Sequence, residues 1–258
     1  MPAPLLIVVP TYNEVENLRP LLERLFRVIP WASVLVVDDG SPDGTGTLAD
    51  ELASRDARIH VLHRSGPRGL GRAYVDGFRW GLARDFAIFF EMDADLSHDP
   101  AHLPALLAAF DRGADVVVGS RNVPGGQVRG WGPGRHLLSR GGSLYSRGIL
   151  GLPLRDLTTG YKGYTRRALR ALEIDSLRSD GYAFQIETTH RAVRRGLVVE
   201  EIPIVFVDRR AGRSKMSRSI FLEAIFFVWK LRLEGATARL LSLRDQAREH
   251  LKAGRIAK

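Results

Sequence analysis

The sequence of 258 residues contains no cysteine. This absence excludes disulfide frameworks, thiolate catalysis and every zinc or iron–sulfur site that needs a Cys ligand. Long apolar runs are missing as well. The most apolar stretch, 220–233, is interrupted by Glu223, Lys230 and Arg232, and it is shorter than the ~20 apolar residues that span a bilayer. We therefore expect no transmembrane helix. The first residues lack the basic region and cleavage site of a signal peptide, so we expect none.

Several common catalytic motifs are also missing. The sequence has no G-x-S-x-G, H-E-x-x-H or P-loop motif, and its seven His show no metal-ligand spacing. With 45% hydrophobic and 26% charged residues, the composition excludes disordered, collagen-like and coiled-coil proteins. Gly69-Leu70-Gly71 resembles part of a dinucleotide fingerprint but lacks the third glycine, which favours a tight turn between a strand and a helix.

The positive charge is concentrated at one end. Residues 209–258 contain 13 Lys or Arg and 4 Asp or Glu, a net charge of +9, which equals that of the whole chain. Residues 1–208 are therefore neutral overall. This asymmetry indicates an anionic partner for the C-terminal part, either a nucleic acid or a membrane surface.

Short apolar runs alternate with helical patterns through the first half of the chain. Continuous apolar runs are typical of strands buried on both faces. The runs lie at 5–10, 34–39, 59–64, 86–93 and 115–120, with helical patterns at 14–28, 70–84 and 102–112. The alternation predicts an α/β fold with a doubly wound, mostly parallel sheet. The later segments are a Gly-rich stretch at 125–134, a helical pattern at 135–150, a polar stretch at 156–164, a second helical pattern at 184–195 and a strand candidate at 198–207. Amphipathic helices are predicted beyond 218.

Polar residues follow three of the predicted strands, at Thr11–Glu14, Asp38–Ser41 and Asp93–Asp95. Ligands of such sheets bind beyond the carboxyl ends of the strands. Asp93 and Asp95 could bind one divalent cation together with diphosphate oxygens, although a solvated acidic turn is the alternative. An acidic side chain in 38–41 could accept hydrogen bonds from a nucleobase or ribose, whereas the alternative is a helix cap formed by Ser41 or Asp43.

Basic residues on loops form a complementary set. Guanidinium groups bind phosphate oxygens in a bidentate manner, and lysine adds a mobile charge. The set contains Arg121, Arg135, Arg140, Arg209, Arg210, Arg213 and Lys215. Together with an acidic metal site, they indicate diphosphate chemistry.

Taken together, the motifs resemble those of family 2 glycosyltransferases with the type-A nucleotide-sugar-binding fold. The resemblance rests on Pro10-Thr11-Tyr12-Asn13-Glu14, Val36-Val37-Asp38-Asp39-Gly40-Ser41 and Asp93-Ala94-Asp95-Leu96-Ser97-His98. Over about residues 5–217 the chain is similar to dolichol- or polyprenol-phosphate mannose synthases. The additional motifs are Gly69-Leu70-Gly71-x-Ala73, Gly119-Ser120-Arg121, Arg135-x-x-x-Ser139-Arg140-Gly141, Asp156-x-Thr158-Thr159-Gly160-Tyr161-Lys162, Gly181-Tyr182-x-Phe184-Gln185-x-Glu187, Asp208-Arg209 and Ser214-Lys215.

The resemblance implies metal-dependent, inverting transfer of mannose from GDP-mannose to dolichyl or polyprenyl phosphate, giving β-mannosyl phosphoryl polyprenol. It assigns donor binding to Pro10, Tyr12, Glu14, Val37, Asp39, Asp93, Ala94, Asp95, Ser97, Arg121, Arg209 and Lys215. Mg²⁺ or Mn²⁺ would be held by Asp93, Asp95 and Ser97, the last of which is Gln in many relatives. The acceptor phosphate would be bound by Arg135 and Ser139, and the implied catalytic residues are Asp95, Arg121, Arg135, Arg209 and Lys215.

The predicted organisation is a glycosyltransferase domain, 1–217, followed by a basic helical tail, 218–258. The domain would consist of a nucleotide-sugar half, about 1–121, and an acceptor half, about 122–217. For 219–233 both packing on the domain and contact with a membrane remain open, whereas 237–252 is typical of a basic interfacial helix. We expect a cytoplasmic protein, peripheral on the cytoplasmic face of the membrane and recruited by an anionic surface or a membrane-protein partner.

Two alternatives to the mannosyl prediction remain. The same fold could use another donor, such as UDP-glucose. The basic tail could instead belong to a non-enzymatic nucleic-acid-binding protein, but no nucleic-acid-binding motif accompanies it. We therefore expect no nucleic acid partner.

Overall fold

The structure is a computed structural model that describes residues 3–177, 179–208 and 226–233. The strands are β1 Leu5–Thr11, β2 Ser33–Asp38, β3 Ile59–His63, β4 Ile88–Glu91, β5 Val116–Ser120, β6 Gln127–Arg129, β7 Lys162–Thr165, β8 Val199–Pro203 and β9 Val205–Val207. The α-helices are α1 Val15–Val28, α2 Thr45–Arg55, α3 Leu70–Leu82, α4 Leu103–Asp111, α5 Pro133–Leu150, α6 Arg166–Leu172 and α7 Gly181–Arg194. Short 3-10 turns span Pro100–His102 and Ile174–Ser176, and residues 226–233 are helical.

The central sheet has the strand order β3-β2-β1-β4-β7-β5-β8. Neighbouring strands are parallel, except that β7 runs antiparallel to both β4 and β5. The prediction of a doubly wound, mostly parallel sheet is therefore confirmed. The chain moves outward from β1 through β2 to β3 and then crosses to β4 on the other side of β1. A sheet of this type has its ligand crevice at that point of reversal.

The continuous apolar runs form strands because helices cover both faces of the sheet. Along β1, Ile7 and Val9 pack in one apolar cluster, while Leu6 and Val8 pack in the other. All four side chains are fully buried. Apolar residues at every position stabilise a strand that is buried on both faces. The sequence of β1 therefore does not alternate between apolar and polar residues.

The strand β7 has no counterpart among the predicted strands, because it begins with a lysine. Lys162 is fully buried, and its Nζ donates hydrogen bonds to the backbone oxygen of Gln185 at 2.6 Å and to Thr188 Oγ1 at 3.3 Å. The buried Glu91 accepts from the Tyr164 hydroxyl at 2.5 Å and from Gln185 at 2.6 Å. Burial lowers the pKa of Lys162 to about 8, although the Glu91 charge acts in the opposite direction. These hydrogen bonds connect β7 to its neighbour β4 and to helix α7.

The strand predicted at 198–207 is divided between two sheets. β8 pairs with β5 in the central sheet, whereas β9 pairs in parallel with β6 in a separate ribbon. Pro203 ends β8 because proline has no N–H to donate to a continuing ladder. Ile204 links the two sheets, since its N–H donates to Ser120 and its carbonyl accepts from Gln127.

The helical residues 226–233 contact the domain on one side and are exposed on the other. Val228 and Leu231 are buried in a third apolar cluster that also contains Leu150 and Leu157. The opposite side exposes apolar side chains; these are Phe226, Trp229 and Leu233. The predicted interfacial helix at 237–252 lies outside the described residues. Within the described ranges no helix is long and apolar enough to cross a membrane.

Helix α3 packs on the sheet through glycines, which leave no room for a Cβ on its inner face. A Cβ added to Gly81 would lie 2.5 Å from Leu6 Cδ2 and 2.6 Å from Phe89 Cε1. Both side chains are fully buried and hemmed in by the core. Glycine therefore sets the spacing between α3 and β1.

We predict that Gly81→Ala destabilises the protein by about 1–3 kcal/mol, because overpacking outweighs the gain in helix propensity. Gly148→Ala, in the exposed part of α5, is the matched control: its added Cβ meets nothing within 4 Å. That control should gain up to about 1 kcal/mol. Urea denaturation measures both changes, and equal effects of the two variants would contradict the close packing of α3.

Candidate functional site

The ends of three strands meet at one edge of the central sheet. Thr11 pairs with Asp38 across β1 and β2, and Val8 pairs with Glu91 across β1 and β4. The polar segments that follow these strands are therefore neighbours at the point where the strand order reverses. The structure thus brings together the three segments that the sequence places at one ligand site.

Asp38 organises the first loop rather than facing a ligand. Its buried carboxylate accepts hydrogen bonds from Thr11 Oγ1 at 3.0 Å, from the Ser41 hydroxyl at 2.5 Å and from the N–H groups of Gly40 and Ser41. The next turn uses Asp43, whose carboxylate accepts from the N–H of Thr45 at the start of α2. The N-cap residue of α2 is Gly44, so neither Ser41 nor Asp43 occupies the cap position considered from the sequence; Asp43 contacts the first N–H of α2 from the preceding turn.

Asp39 lies at the mouth of the same loop and is already held by the protein. Its carboxylate forms an ion pair with Arg64 and accepts the N–H of Gly69 at 3.0 Å. The Asp39 and Arg64 side chains are only 9% and 7% exposed. Nearby, the guanidinium of Arg68 lies 4.5 Å from the centre of the Tyr12 ring. These contacts form a cationic and aromatic wall beside the carboxyl end of β1.

The other residues predicted to bind the nucleotide-sugar donor differ in their burial and contacts. Glu14 accepts a hydrogen bond from Asn17 at 2.9 Å, and Pro10 is half-buried at the end of β1. Val37 is fully buried in the apolar layer under α3, so only its backbone can face a ligand. Ala94 is buried within the acidic turn.

The acidic turn after β4 contains two carboxylates and one unpartnered hydroxyl. Asp93 accepts a hydrogen bond from the Tyr74 hydroxyl at 3.2 Å, and the largely buried Asp95 accepts from the Ser97 N–H at 3.1 Å. Leu96 has a φ of 61°, a left-handed conformation that is uncommon for leucine. The hydroxyl of Ser97 is buried without a hydrogen-bond partner among the described residues. These three oxygen donors suit a hard divalent cation.

His98 fixes the acidic turn from behind. Its Nδ1 accepts the backbone N–H of Asp93 at 3.2 Å, and its ring stacks on Tyr161 at 5.0 Å between centres. Burial lowers the pKa of His98 to about 4, although the charge of Asp95 acts in the opposite direction. The imidazole is therefore neutral at physiological pH, as its acceptor role at Nδ1 requires.

A second feature of this region is a cleft, and most of its polar lining was assigned to phosphate binding. Its lining residues are Arg121, Asn122, Val128, Trp131, His136, Ser139 and Arg140. Arg135 stacks on the Trp131 ring at 4.3 Å and donates to Asp208 at 2.8 Å. The structure thus brings Arg121, Arg135 and Ser139 to one place.

Arg121 is held by a buried ion pair within this cleft. Its Nε and one Nη donate to the two oxygens of Asp156, each at 2.7 Å, and the same Nη also donates to Thr158. Asp156 is fully buried and Arg121 is 6% exposed. Burial acts to raise the pKa of Asp156, but the Arg121 charge and hydrogen bonds lower it below its usual value. Arg121 is thus firmly oriented by the protein.

The strand β9 connects the acidic turn to the cleft. The N–H of Val207 donates to the Ser97 carbonyl at 3.3 Å, and the ring of Phe206 contacts both His98 at 5.6 Å and Trp131 at 5.3 Å. Asp208 follows this strand directly. Arg209 and Lys215, which the sequence analysis assigned to the site, lie outside the described residues.

Sequence reasoning missed four residues that shape the cleft: Trp131, Asp156, Phe206 and Asp208. Asp156 and Asp208 stood inside quoted motifs but were given no role. A tryptophan between two glycines, at 130–132, within a polar loop was the available signal for Trp131. Nothing local marks Phe206, because its contacts are distant in sequence.

Comparison with known proteins shows related sequences. A family described as Glycosyl transferase family 2 matches residues 6–173. The chain is 51% identical over 239 residues to an undecaprenyl-phosphate mannosyltransferase of Micrococcus luteus, covering 91% of this chain and 98% of the relative. It is 50% identical over 230 residues to a polyprenol monophosphomannose synthase of Mycolicibacterium smegmatis, covering 88% and 87%.

Solved structures share the fold. A glucosyl-3-phosphoglycerate synthase from Mycobacterium tuberculosis, crystallised with Mn²⁺, UDP-glucose and phosphoglyceric acid, matches with a TM-score of 0.66 and 20% identity. The match covers 89% of this chain and 80% of that one. At this identity the likeness concerns the fold alone.

We predict that Asp156→Asn destabilises the protein by about 3–5 kcal/mol, because it removes one charge of a buried ion pair and keeps the other. The double variant Arg121→Met/Asp156→Asn should recover at least half of that loss, since neither charge then remains. Urea denaturation of the two variants and the parent protein measures the difference. A single variant as stable as the parent would show that the pair is not buried.

Proposed function

The chain belongs to glycosyl transferase family 2 and to its polyprenol-phosphate mannosyltransferases, and from this premise we propose that GDP-mannose is its donor in a metal-dependent, inverting transfer. The acceptor is a polyprenyl or dolichyl phosphate, and the product is a β-mannosyl phosphoryl polyprenol. One observation carries the proposal: β9 joins an acidic turn to a cleft lined by basic residues. A donor diphosphate and an acceptor phosphate are both anions, so each needs its own counter-charge.

The residues of the acidic turn fit Mg²⁺ or Mn²⁺. Asp93, Asp95 and the unpartnered Ser97 hydroxyl would hold the cation through oxygen, the ligand type that these metals prefer. When bound, the cation neutralises the diphosphate and stabilises the leaving GDP. Among the described residues no group of three His, Cys, Asp or Glu is arranged to hold a metal. Asp93, Asp95 and Ser97 would therefore supply only part of the oxygen ligands of the cation.

The guanosine would lie against the carboxyl ends of β1 and β2. Pro10, Tyr12 and Glu14 form one side, and Asp39 with the backbone of Val37 forms the other. Asp39 is oriented by Arg64 and Gly69, which keeps its carboxylate at a fixed position for a donor group of the nucleoside. The role of each residue follows from the family resemblance and from its position at this edge.

The acceptor phosphate would enter the cleft. Arg135 and Ser139 lie on α5 and would bind its oxygens, together with Arg121, which Asp156 orients. Arg209 and Lys215 would add charge from the segment that follows Asp208. Since Asp208 already pairs with Arg135, binding of the phosphate would compete with that carboxylate.

The chemistry needs no strong general base, because a phosphate monoester is already anionic near neutral pH. An acceptor oxygen attacks the anomeric carbon of mannose, a new carbon–oxygen bond forms, and the bond to the β-phosphate oxygen of GDP breaks. The electron pair of the broken bond leaves with GDP, and the attack inverts the anomeric carbon. The residues of the site act by positioning two anions and by screening their repulsion.

Exposed apolar side chains beside the cleft support contact with a membrane surface. On α5, Leu137 is 76% exposed and Leu144 is 69% exposed. The nearby helical residues expose Phe226, Trp229 and Leu233. Apolar side chains of this kind insert into a bilayer interface, while basic residues contact anionic lipid headgroups. The proposed occupant of this surface is the bilayer that carries the lipid acceptor.

We predict transfer of mannose from GDP-mannose to a polyprenyl phosphate, and loss of that transfer on removal of divalent cations with EDTA. Replacing Asp95 with Asn, which keeps an acceptor for the Ser97 N–H, should lower kcat by about 10²–10³-fold. The measurement is formation of radiolabelled lipid, compared between GDP-mannose and UDP-glucose.

The matched control is Asp99→Asn, since Asp99 lies close by and caps a 3-10 turn through the Ala101 N–H. Its activity should stay near that of the parent. Transfer from UDP-glucose in place of GDP-mannose would overturn the donor assignment. Full activity of Asp95→Asn would overturn the metal assignment.

We predict that the variant Leu137→Ser/Leu144→Ser loses most of its binding to vesicles containing anionic lipid, because the two most exposed leucines of α5 would then be polar. Flotation measures the bound fraction. A chain that ends after Leu233 keeps the buried Val228 and Leu231, and it separates the contribution of residues 234–258. Unchanged flotation of the double-serine variant would exclude α5 as a membrane contact.

A further inference from the structure

Trp131 lines the cleft and lies directly before α5. Its ring carries the Arg135 guanidinium at 4.3 Å on one side and contacts Phe206 at 5.3 Å and His136 at 5.7 Å. Arg121 lies 5.7 Å from the same ring. The indole thus contacts Arg135 and lies near Arg121, two of the side chains assigned to phosphate binding.

The indole N–H of Trp131 is buried without a hydrogen-bond partner among the described residues. An indole nitrogen is a donor only, and a buried tryptophan N–H usually has an acceptor because leaving it without one is costly. Trp131 itself lines the cleft. The missing acceptor is therefore expected from a molecule bound there.

The charge of the cleft indicates which kind of acceptor fits. Arg121 and Arg135 are paired with Asp156 and Asp208, and Arg140 adds a further positive charge to the lining. An anionic oxygen gains from this environment, and its hydrogen bond with a donor is stronger than that of a neutral oxygen. The oxygens of a phosphate monoester meet both conditions.

We propose that the indole N–H of Trp131 donates a hydrogen bond to the phosphate of the lipid acceptor while its ring holds the Arg135 guanidinium in place. This inference rests on the proposed function for the identity of the acceptor. It adds a residue of acceptor recognition that neither the motifs nor the family resemblance assigned. The same N–H would recognise any phosphate monoester, so a lipid phosphate and free phosphate must be compared.

The kinetic test uses Trp131→Phe, which keeps an aromatic ring under Arg135 but removes the donor. We expect the KM for geranyl phosphate, a short polyprenyl phosphate, to rise about tenfold, as for loss of one hydrogen bond to a charged group. The KM for GDP-mannose and kcat should change less than about twofold. Trp80→Phe is the matched control, since Trp80 stacks on Phe86 outside the cleft.

Comparing the KM for geranyl phosphate with the KM for GDP-mannose distinguishes a role of Trp131 in acceptor recognition from a structural role. A merely structural Trp131 would change the thermal midpoint and shift both KM values together. An unchanged KM for geranyl phosphate in a folded Trp131→Phe variant overturns the proposal.

A direct test follows the indole N–H by NMR of the ¹⁵N-labelled full chain. The Trp131 resonance is assigned by its loss in Trp131→Phe. We expect a downfield shift on addition of geranyl phosphate, a smaller one with inorganic phosphate and none with geraniol. No shift at saturating geranyl phosphate overturns the hydrogen bond.

The two proposals fail in different ways. If the Trp131 resonance shifts but the protein transfers no mannose to geranyl phosphate, the Trp131 contact is supported and the proposed function is contradicted. If mannose is transferred but the Trp131 resonance does not shift, the proposed function is supported and the Trp131 contact is contradicted.

Discussion

The arrangement of the site depends on the insertion of β7 between β4 and β5. Because β7 is antiparallel to both neighbours, it begins at the edge where they end, and the segment before it enters the site. That segment carries Asp156 to Arg121 and Gly160 to Asp93, so closely that an added Cβ would lie 3.4 Å from the carboxylate. A buried lysine in mid-sheet is costly unless it is hydrogen-bonded. The bonds from Lys162 to α7 meet that cost and fix the insertion.

A row of aromatic rings links the acidic turn to the cleft. Tyr161, His98, Phe206 and Trp131 are in successive contact. Near one end His98 accepts the backbone N–H of Asp93, and at the other end Trp131 lies against Arg135. The neutral state of His98 suits this position, because only a neutral imidazole can accept that N–H at Nδ1.

The fold was largely predictable, whereas the partners of the charged residues were not. Strands such as β1 and β2 are buried on both faces, so their apolar runs identify them without any tertiary information. The strand β7 is short and polar, and its stability comes from Glu91 and Gln185, which are remote in sequence. The motifs singled out Asp93 and Arg121, which follow β4 and β5 in the structure. Asp156, which orients Arg121, is recognisable only once the chain has folded. Trp131 was missed for the same reason: an unpartnered N–H is a property of three-dimensional packing.

One consequence concerns α5, which carries both Ser139 and Leu144. Along a helix that rises 1.5 Å per residue, these two residues are about 7.5 Å apart. Leu137 precedes Ser139 by two residues, so Ser139 lies between the exposed Leu137 and Leu144 along the helix axis. In the proposed membrane contact, both leucines would hold this stretch of α5 along the bilayer surface and Ser139 would lie at the level of the lipid headgroups. A lipid phosphate would then reach Ser139 without its chain leaving the bilayer.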